Sequence, residues 1–157
     1  MGRKHVPGQS VREVVRDVLA AQAPREAKLL DGMASLSDRQ ITRVFRRSRA
    51  RRDPLGFGAA EVLALVAPVV WLVVNEVAQR SAATAVDGAS RWGGAWLRRV
   101  RRLPDPPTEV PALSCEQLGA VQRRVVERAQ ASGMEAEAAQ ALADAVVARL
   151  ATSSGDG

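Results

Sequence analysis

Apolar residues recur every three or four positions along most of the chain, which is typical of amphipathic α-helices with one buried face. Three of these segments begin with a serine that is followed three residues later by Glu or Gln. This spacing predicts a capping box, in which each side chain accepts a hydrogen bond from the backbone N–H of the other residue. The sequence therefore predicts an all-α protein. The three pairs are Ser10 with Glu13, Ser37 with Gln40, and Ser114 with Gln117.

Residues 1–53 are predicted to form an N-terminal helical unit that is rich in arginine at its end. Pro24 and Gly32 bracket a short second helix. A third helix starts at the second capping box and ends at Asp53 and Pro54, because the residue before a proline disfavours helical conformation. The predicted apolar positions are Val11, Val14, Val15, Val18 and Leu19 in the first helix, and Ile41, Val44 and Phe45 in the third.

Residues 54–79 contain the most apolar part of the chain. Between Phe57 and Val74 the only charged residue is Glu61, and Pro68 lies near the centre of the apolar run. A helix that crosses the hydrocarbon layer needs about 20 apolar residues, whereas shorter runs are more often buried, interfacial or re-entrant. The apolar side chains contribute about −3 to −6 kcal/mol to membrane insertion, and Glu61 and Pro68 oppose it.

We expect this segment to be a membrane anchor, either as a single span or as a re-entrant helix broken near Pro68. Full crossing is the leading version, because the basic residues beyond the segment lie far from its end. The alternative is a central helix buried in a soluble helical bundle. The residues expected in the membrane are Phe57, Val62, Leu63, Leu65, Val66, Pro68, Val69, Val70, Trp71, Leu72, Val73 and Val74.

Residues 80–103 are predicted to form a basic amphipathic helix. Trp92 and Trp96 lie one turn apart on its apolar side, and arginines gather on the opposite side. Such a helix can lie in the membrane interface, where indole rings are favoured. The two tryptophans would equally suit ordinary packing against the N-terminal helices. Small residues on the same face would allow another helix to approach closely. They are Ser81, Ala85, Ala89 and Gly93.

Residues 104–111 are rich in proline and predict an extended linker. Residues 112–150 predict a helical hairpin whose first helix ends at Gly133. Two helices of this size seldom bury enough surface to be stable alone, so we expect the hairpin to dock on the N-terminal helices, on a second copy or on another protein. Residues 151–157 are expected to be a disordered tail. The predicted apolar positions are Leu118, Val121, Val125 and Ala129, then Ala138, Ala141, Leu142, Ala145, Val146 and Leu150.

Arginine supplies nearly all of the positive charge: 23 basic and 17 acidic residues give a formal net charge of +6, and Lys4 and Lys28 are the only lysines. A GC-rich genome favours arginine, so only its placement is informative. Six arginines lie between Arg43 and Arg52. Beside a membrane helix they would hold that end in the cytoplasm and attract anionic lipid. The same charges would also suit nucleic-acid phosphates, or simply a solvated helix end. The residues expected at the interface or on anionic lipid are Arg46, Arg47, Arg49, Arg51, Arg52, Trp92, Trp96, Arg98 and Arg102.

The sequence offers little material for catalysis or metal binding. His5 is the only histidine and Cys115 the only cysteine, which excludes an internal disulfide, a histidine-based triad and a multi-cysteine metal site. The thiol of Cys115, at the start of a predicted helix, is either activated by the helix N-terminus or inert. The carboxylates closest to the apolar segment are Glu61, Glu76 and Asp87. We therefore expect no enzymatic activity, cofactor, metal or small-molecule substrate.

The sequence thus predicts a non-enzymatic, membrane-anchored helical adaptor or effector that acts through protein–protein interaction. Its expected partners are membrane lipids and either another protein or a second copy of the chain. Residues 1–10 do not resemble a secretory signal peptide, so we expect a cytoplasmic N-terminus on the cytoplasmic membrane. The alternative is a soluble helical bundle in the cytoplasm that binds nucleic acid non-specifically through its arginine clusters.

Overall fold

Six α-helices and one two-stranded antiparallel sheet make up the part of the chain that the computed structural model describes, residues 8–50, 66–85 and 107–154. This result confirms the predicted all-α class. In the sheet, Gln9 lies opposite Val110 and Ser10 opposite Glu109. The elements are β1 (Gln9–Ser10), α1 (Val11–Gln22), α2 (Pro24–Gly32), α3 (Asp38–Ala50), α4 (Val66–Ala85), β2 (Glu109–Val110), α5 (Cys115–Ala131) and α6 (Ala136–Ser154).

All three predicted capping boxes are present. In the first, the backbone N–H of Glu13 donates to Ser10 Oγ over 3.2 Å, and the backbone N–H of Ser10 donates to Glu13 Oε2 over 3.1 Å. The same reciprocal pair of bonds begins α3 and α5. Each box satisfies backbone N–H groups that have no acceptor inside the helix. The starts of α1, α3 and α5 are therefore encoded within a few residues of sequence.

Helix α4 lies at the centre of the core. It contacts α1, α2, α3, α5 and β2, and every side chain from Val69 to Val74 is at most 6% exposed. The low exposure of these six residues means that protein surrounds them on every side. A helix that is covered in this way is apolar around its whole circumference. Among the described residues, no helix combines the length and the apolarity that crossing a membrane requires.

The course of α4 differs from the sequence prediction at two points. Pro68 is the third residue of the helix rather than the site of a break in its middle. In the first turn a proline is tolerated, because the N–H that it lacks has no acceptor there. The helix also continues past residue 79, the predicted end of the apolar segment, to Ala85. The end of the apolar run and the start of the predicted basic helix therefore belong to one element.

Glu26 on α2 caps the start of α4. Its carboxylate accepts the backbone N–H of Val66 over 3.0 Å and that of Ala67 over 2.6 Å. These N–H groups belong to the first turn, where the helix dipole also favours a negative charge. The bond joins residues about forty positions apart in the sequence, so no local pattern predicts it.

Trp71 is fully buried and joins α4 to α3. Its Nε1–H donates to Thr42 Oγ1 over 2.9 Å, and its ring centroid lies 6.2 Å from that of Phe45. The hydroxyl of Thr42 donates in turn to the backbone carbonyl of Asp38. The placement of Val44 on the buried face of α3 was wrong, since Val44 is 44% exposed. Thr42 is buried instead, because the indole N–H needs an acceptor.

Asp38 ties α3 to α1 and to the segment before β2. Its Oδ1 accepts from Arg12 Nη2 over 2.9 Å, and its Oδ2 accepts the backbone N–H of Thr108 over 2.8 Å. The carbonyl of Thr108 accepts the N–H of Val11. Residues 107–111, the described part of the predicted linker 104–111, contain β2, which pairs with β1.

Helices α5 and α6 form the predicted hairpin, which docks on the N-terminal helices. Helix α5 packs against α4 and α6 against α1, where Arg149 and Asp17 form an ion pair of 2.6 Å. Helix α5 ends at Ala131, and Gly133, which the sequence predicted to mark the helix end, follows two residues later with a φ of 90°. The N–H of Met134 then donates to the carbonyl of Ala129 over 3.0 Å, as in a Schellman motif.

The buried face of α6 differs in part from the predicted one. Ala138 and Ala141 are exposed, whereas Ala139 and Ala143 lie in the core. In a helix this rich in alanine the apolar period is weak, and contact with both α1 and α5 determines which alanines are covered. The larger predicted residues, Leu142, Val146 and Leu150, are buried as expected.

Asn75 places an unsatisfied polar atom in the core. The residue is 2% exposed, and its Oδ1 accepts no hydrogen bond from the described residues. A buried acceptor without a donor costs about 1 to 3 kcal/mol. The unsatisfied Oδ1 of Asn75 therefore lowers the stability of the fold.

We expect Thr42→Val to lower the free energy of unfolding by about 1 to 3 kcal/mol, because it leaves the buried N–H of Trp71 without an acceptor. Thr42→Ser retains the hydroxyl and should retain most of the stability. Urea unfolding followed by tryptophan fluorescence measures both variants. An equal loss in the two would contradict a role for the hydrogen bond.

We expect Asn75→Leu to raise the free energy of unfolding by about 1 kcal/mol, because it removes the unsatisfied acceptor and keeps a similar shape. Asn75→Asp should instead lower it, since the new charge would be buried. Thermal and urea unfolding compare both variants with the parent chain. A clear loss of stability in Asn75→Leu would mean that the amide has a favourable partner.

Candidate interaction surfaces

The site residues predicted from the sequence lie in different parts of the molecule. Pro68 to Val74 lie in the core and Val66 is half-buried, whereas Arg46 and Arg47 are exposed on α3. Arg49 belongs to α3, but its side chain is not among those described. The membrane role of the apolar residues stays a prediction. The other predicted site residues lie outside the described residues: Phe57, Val62, Leu63, Leu65, Arg51, Arg52, Trp92, Trp96, Arg98 and Arg102.

Helix α3 presents a basic face to solvent. Arg43, Arg46 and Arg47 are exposed on the side opposite to the buried Ile41 and Phe45. In the described part of the chain, these three guanidinium groups have no hydrogen-bond or ion-pair partner. No described residue therefore neutralises their charge. We call these three residues the α3 basic face.

A groove of about 350 Å³ lies between α4 and α5. Its apolar lining comes from Val73 and Val77 on α4 and Val121 on α5. Polar side chains of both helices border it, and arginine is the most frequent among them. We call this feature the α4–α5 groove. The bordering charged residues are Glu76, Arg80, Arg123, Arg124 and Glu127.

One carboxylate at the border of the groove holds three arginines. Glu76 accepts from Arg124 and from Arg128, each over 2.9 Å, and forms an ion pair of 2.7 Å with Arg80 one turn further along α4. The side chain of Glu76 is 24% exposed. The cluster joins α5 to α4, and its three positive charges exceed its one negative charge.

The ionisation of Glu76 is controlled by opposing effects. Partial burial disfavours the charged form and by itself raises the pKa of Glu76. The hydrogen bond and charge of Arg124, together with the charges of Arg128 and Arg80, outweigh burial and hold this pKa below its usual range. Glu76 is therefore ionised at neutral pH, which the pairing with the three arginines requires.

Within the described ranges, no group of His, Cys, Asp and Glu residues is placed to hold a metal ion. Cys115 is the first residue of α5 and is exposed. The two surfaces defined above combine basic groups with solvent access, and the α4–α5 groove adds an apolar lining. Both can bind an anionic partner.

Sequence reasoning identified the α3 basic face but missed the cluster around Glu76. The spacings were visible, since Glu76 and Arg80 are four residues apart, as are Arg124 and Arg128. Such pairs are expected to lie on one helix face. Whether the two faces meet depends on how α5 packs on α4, and no local sequence pattern predicts that packing.

We expect Glu76→Gln to lower the free energy of unfolding by about 1 kcal/mol at about pH 7, a modest value because the cluster borders solvent. The pKa of Glu76 is lower in the folded chain than in the unfolded one, so its contribution is complete above the unfolded pKa and is lost as the pH falls through the folded pKa. The difference between parent and variant should therefore shrink as the pH is lowered from neutral into the acid range. Urea unfolding across this pH range measures it.

The matched control is Glu127→Gln, which removes a more exposed carboxylate from the same border. Glu127 lies 4.0 Å from Arg124, and its substitution should change the free energy of unfolding little. A difference between parent and Glu76→Gln that stays constant with pH would contradict the electrostatic origin of the effect.

Comparison of the chain with models of protein families, with curated proteins and with solved structures found no match.

Proposed function

We propose that this chain is a non-enzymatic helical module that binds nucleic acid without sequence preference through the α3 basic face. The observation that carries the proposal is the row of exposed guanidinium groups at Arg43, Arg46 and Arg47, which no described residue neutralises. Arginine binds phosphate oxygens through several N–H donors and keeps its charge at all physiological pH values. The sequence continues the positive charge beyond these residues, at Arg49, Arg51 and Arg52.

The arrangement of the charges suits a linear polyanion. Arg43 and Arg47 are one turn apart along α3, and Arg46 lies beside them on the same side. Side chains at this spacing are about 5 to 6 Å apart, so the face offers a short row of cations. Binding to a phosphate backbone releases counterions and needs no base contacts.

Anionic lipid is the competing partner for the same charges. A helix that lies in a membrane interface pairs its basic residues with a broad apolar face that enters the lipid. In α3 the apolar residues Ile41 and Phe45 are buried in the protein core, and Val44 is the large apolar side chain that this helix leaves exposed. Apart from Val44, the described α3 face therefore offers charge without a broad apolar surface to insert, which favours a phosphate backbone over a bilayer.

The membrane-anchored adaptor that the sequence suggested first remains a second candidate. Its anchor would have to include Val69 to Val74, which already contact protein on all sides. Anchoring through these residues would require the bundle to open and α4 to exchange its neighbours for lipid. The burial of α4 therefore supports a bundle in which this helix acts as the core.

The test measures binding of the full chain to labelled duplex DNA of arbitrary sequence by fluorescence anisotropy over a series of salt concentrations. We expect Arg43→Gln combined with Arg47→Gln to weaken binding by about tenfold or more at moderate salt. The slope of log affinity against log salt should fall by about 2, since each lost phosphate contact removes about 0.9.

The matched control is Arg25→Gln combined with Arg123→Gln, which removes the same net charge from exposed positions on α2 and α5. It should leave most of the affinity and most of the slope. Equal weakening in the two double variants would overturn the assignment to α3. Absence of DNA binding, with salt-sensitive binding to anionic but not neutral phospholipid vesicles, would overturn nucleic acid as the partner.

A further inference from the structure

The α4–α5 groove shares no residue with the α3 basic face, so it can carry a second interaction. Val73 and Val121 are buried at the groove, so Val77 on α4 and Ala120 on α5 are the apolar lining residues that an occupant can reach. Glu76 and Arg80 continue the row along α4, and Gln117 and Arg124 continue it along α5. Two adjacent rows of this kind form a trough that extends over about 12 to 15 Å, or two to three helical turns. An amphipathic helix is a common occupant of such a trough.

The border of the groove selects the charge of its occupant. Glu76 is shared among three arginines, and Glu127 lies 4.0 Å from one of them, Arg124. Three arginines against two carboxylates leave a positive excess at the edge of the groove. Arg123 borders the same groove, is exposed and has no ion-pair partner among the described residues. An occupant with apolar residues on one side and carboxylates at the edges of that side would complement both features.

We propose that the α4–α5 groove is the docking site for an acidic amphipathic helix of a partner protein. The apolar side of the partner helix would cover Val77 and the neighbouring lining residues. Its carboxylates would bind Arg123 and the outer N–H groups of Arg124, which is the arrangement that gives a short helix both affinity and orientation.

Charge argues for this occupant over two others. A second copy of the chain carries a net charge of +6, so its approach to a basic groove is opposed by repulsion. Residues 86–106 of the chain itself contain five arginines and two aspartates, so they do not complement the arginines at the border. An acidic partner meets no such opposition.

The probe is a synthetic helical peptide of about 14 residues, or about four turns, with leucines at every third or fourth position and glutamates beside them. It is labelled with a neutral dye, and its binding to the full chain is followed by fluorescence anisotropy. We expect saturable binding that is lost when the glutamates of the peptide are replaced by lysine. In the chain, Ala120→Trp should fill the groove and weaken binding by about tenfold, and Arg123→Glu should do the same by reversing a charge.

Two control variants make the location testable. Ala138→Trp places the same side chain on an exposed position of α6, and Arg25→Glu makes the same charge change on α2. Both should bind the peptide as the parent chain does. Circular dichroism and the unfolding midpoint establish that all four variants are folded.

Three outcomes would overturn the proposal. One is the absence of saturable binding to the parent chain. Another is equal weakening in groove and control variants, which would mean that the peptide binds by net charge alone. The last is a dimer detected by sedimentation that Ala120→Trp dissociates, which would make a second copy the occupant. Loss of DNA binding in the α3 variants neither requires nor excludes any of these results, so the two functions are tested separately.

Discussion

The need to cover α4 determines how the other described helices are arranged around it. Val69 to Val74 present apolar side chains around the whole circumference of the helix, and each is at most 6% exposed. A single neighbouring helix covers only one stripe of such a surface, so several must pack around it at once. Among the described elements, helices α1, α2, α3 and α5 and strand β2 all contact α4. Because small aliphatic residues bury little area each, the core depends on complete coverage rather than on a few large side chains.

A small number of polar contacts fixes which helix covers which side of α4. Apolar packing alone is non-directional and would tolerate several arrangements. Glu26 binds the first N–H groups of α4, Thr42 accepts the indole N–H of Trp71, and Asp38 binds α1 and the segment before β2. Each contact leaves a buried or half-buried polar group unsatisfied if the helices shift, and that makes alternative packings unfavourable. These bonds therefore supply orientation to a core whose apolar surfaces supply most of the driving force.

The features that the sequence predicted are those whose cause lies within a few residues. The capping boxes at Ser10, Ser37 and Ser114, the glycine end of α5 and the valine stripe of α1 are of this kind. The features that it missed depend on which elements meet. Thr42 is buried because Trp71 faces it, and Glu76 gathers three arginines because α5 packs beside it. The apolar run from Val62 to Val74 was ambiguous for the same reason, since lipid and protein neighbours favour the same residue types. For the candidate site, the positive charge of α3 could be predicted from the sequence. That the arginines of α3 and those of α5 belong to two different surfaces could not.

Two groups can be distinguished among the described arginines, those that pair with a carboxylate of another element and those without a described partner. This difference depends on where each arginine lies and not on how many arginines the chain contains. Arg124 and Arg128 are anchored by Glu76, while Arg12 and Arg149 are anchored by Asp38 and Asp17. These pairs join different elements and so belong to the framework. Arg43, Arg46 and Arg47 have no such partner in the described part of the chain, although acidic residues are numerous enough to have supplied one. A genome bias raises the number of arginines, but it does not decide which of them are paired. Like charges left adjacent on one helix face are unfavourable in the free protein, and an anionic partner relieves that repulsion when it binds.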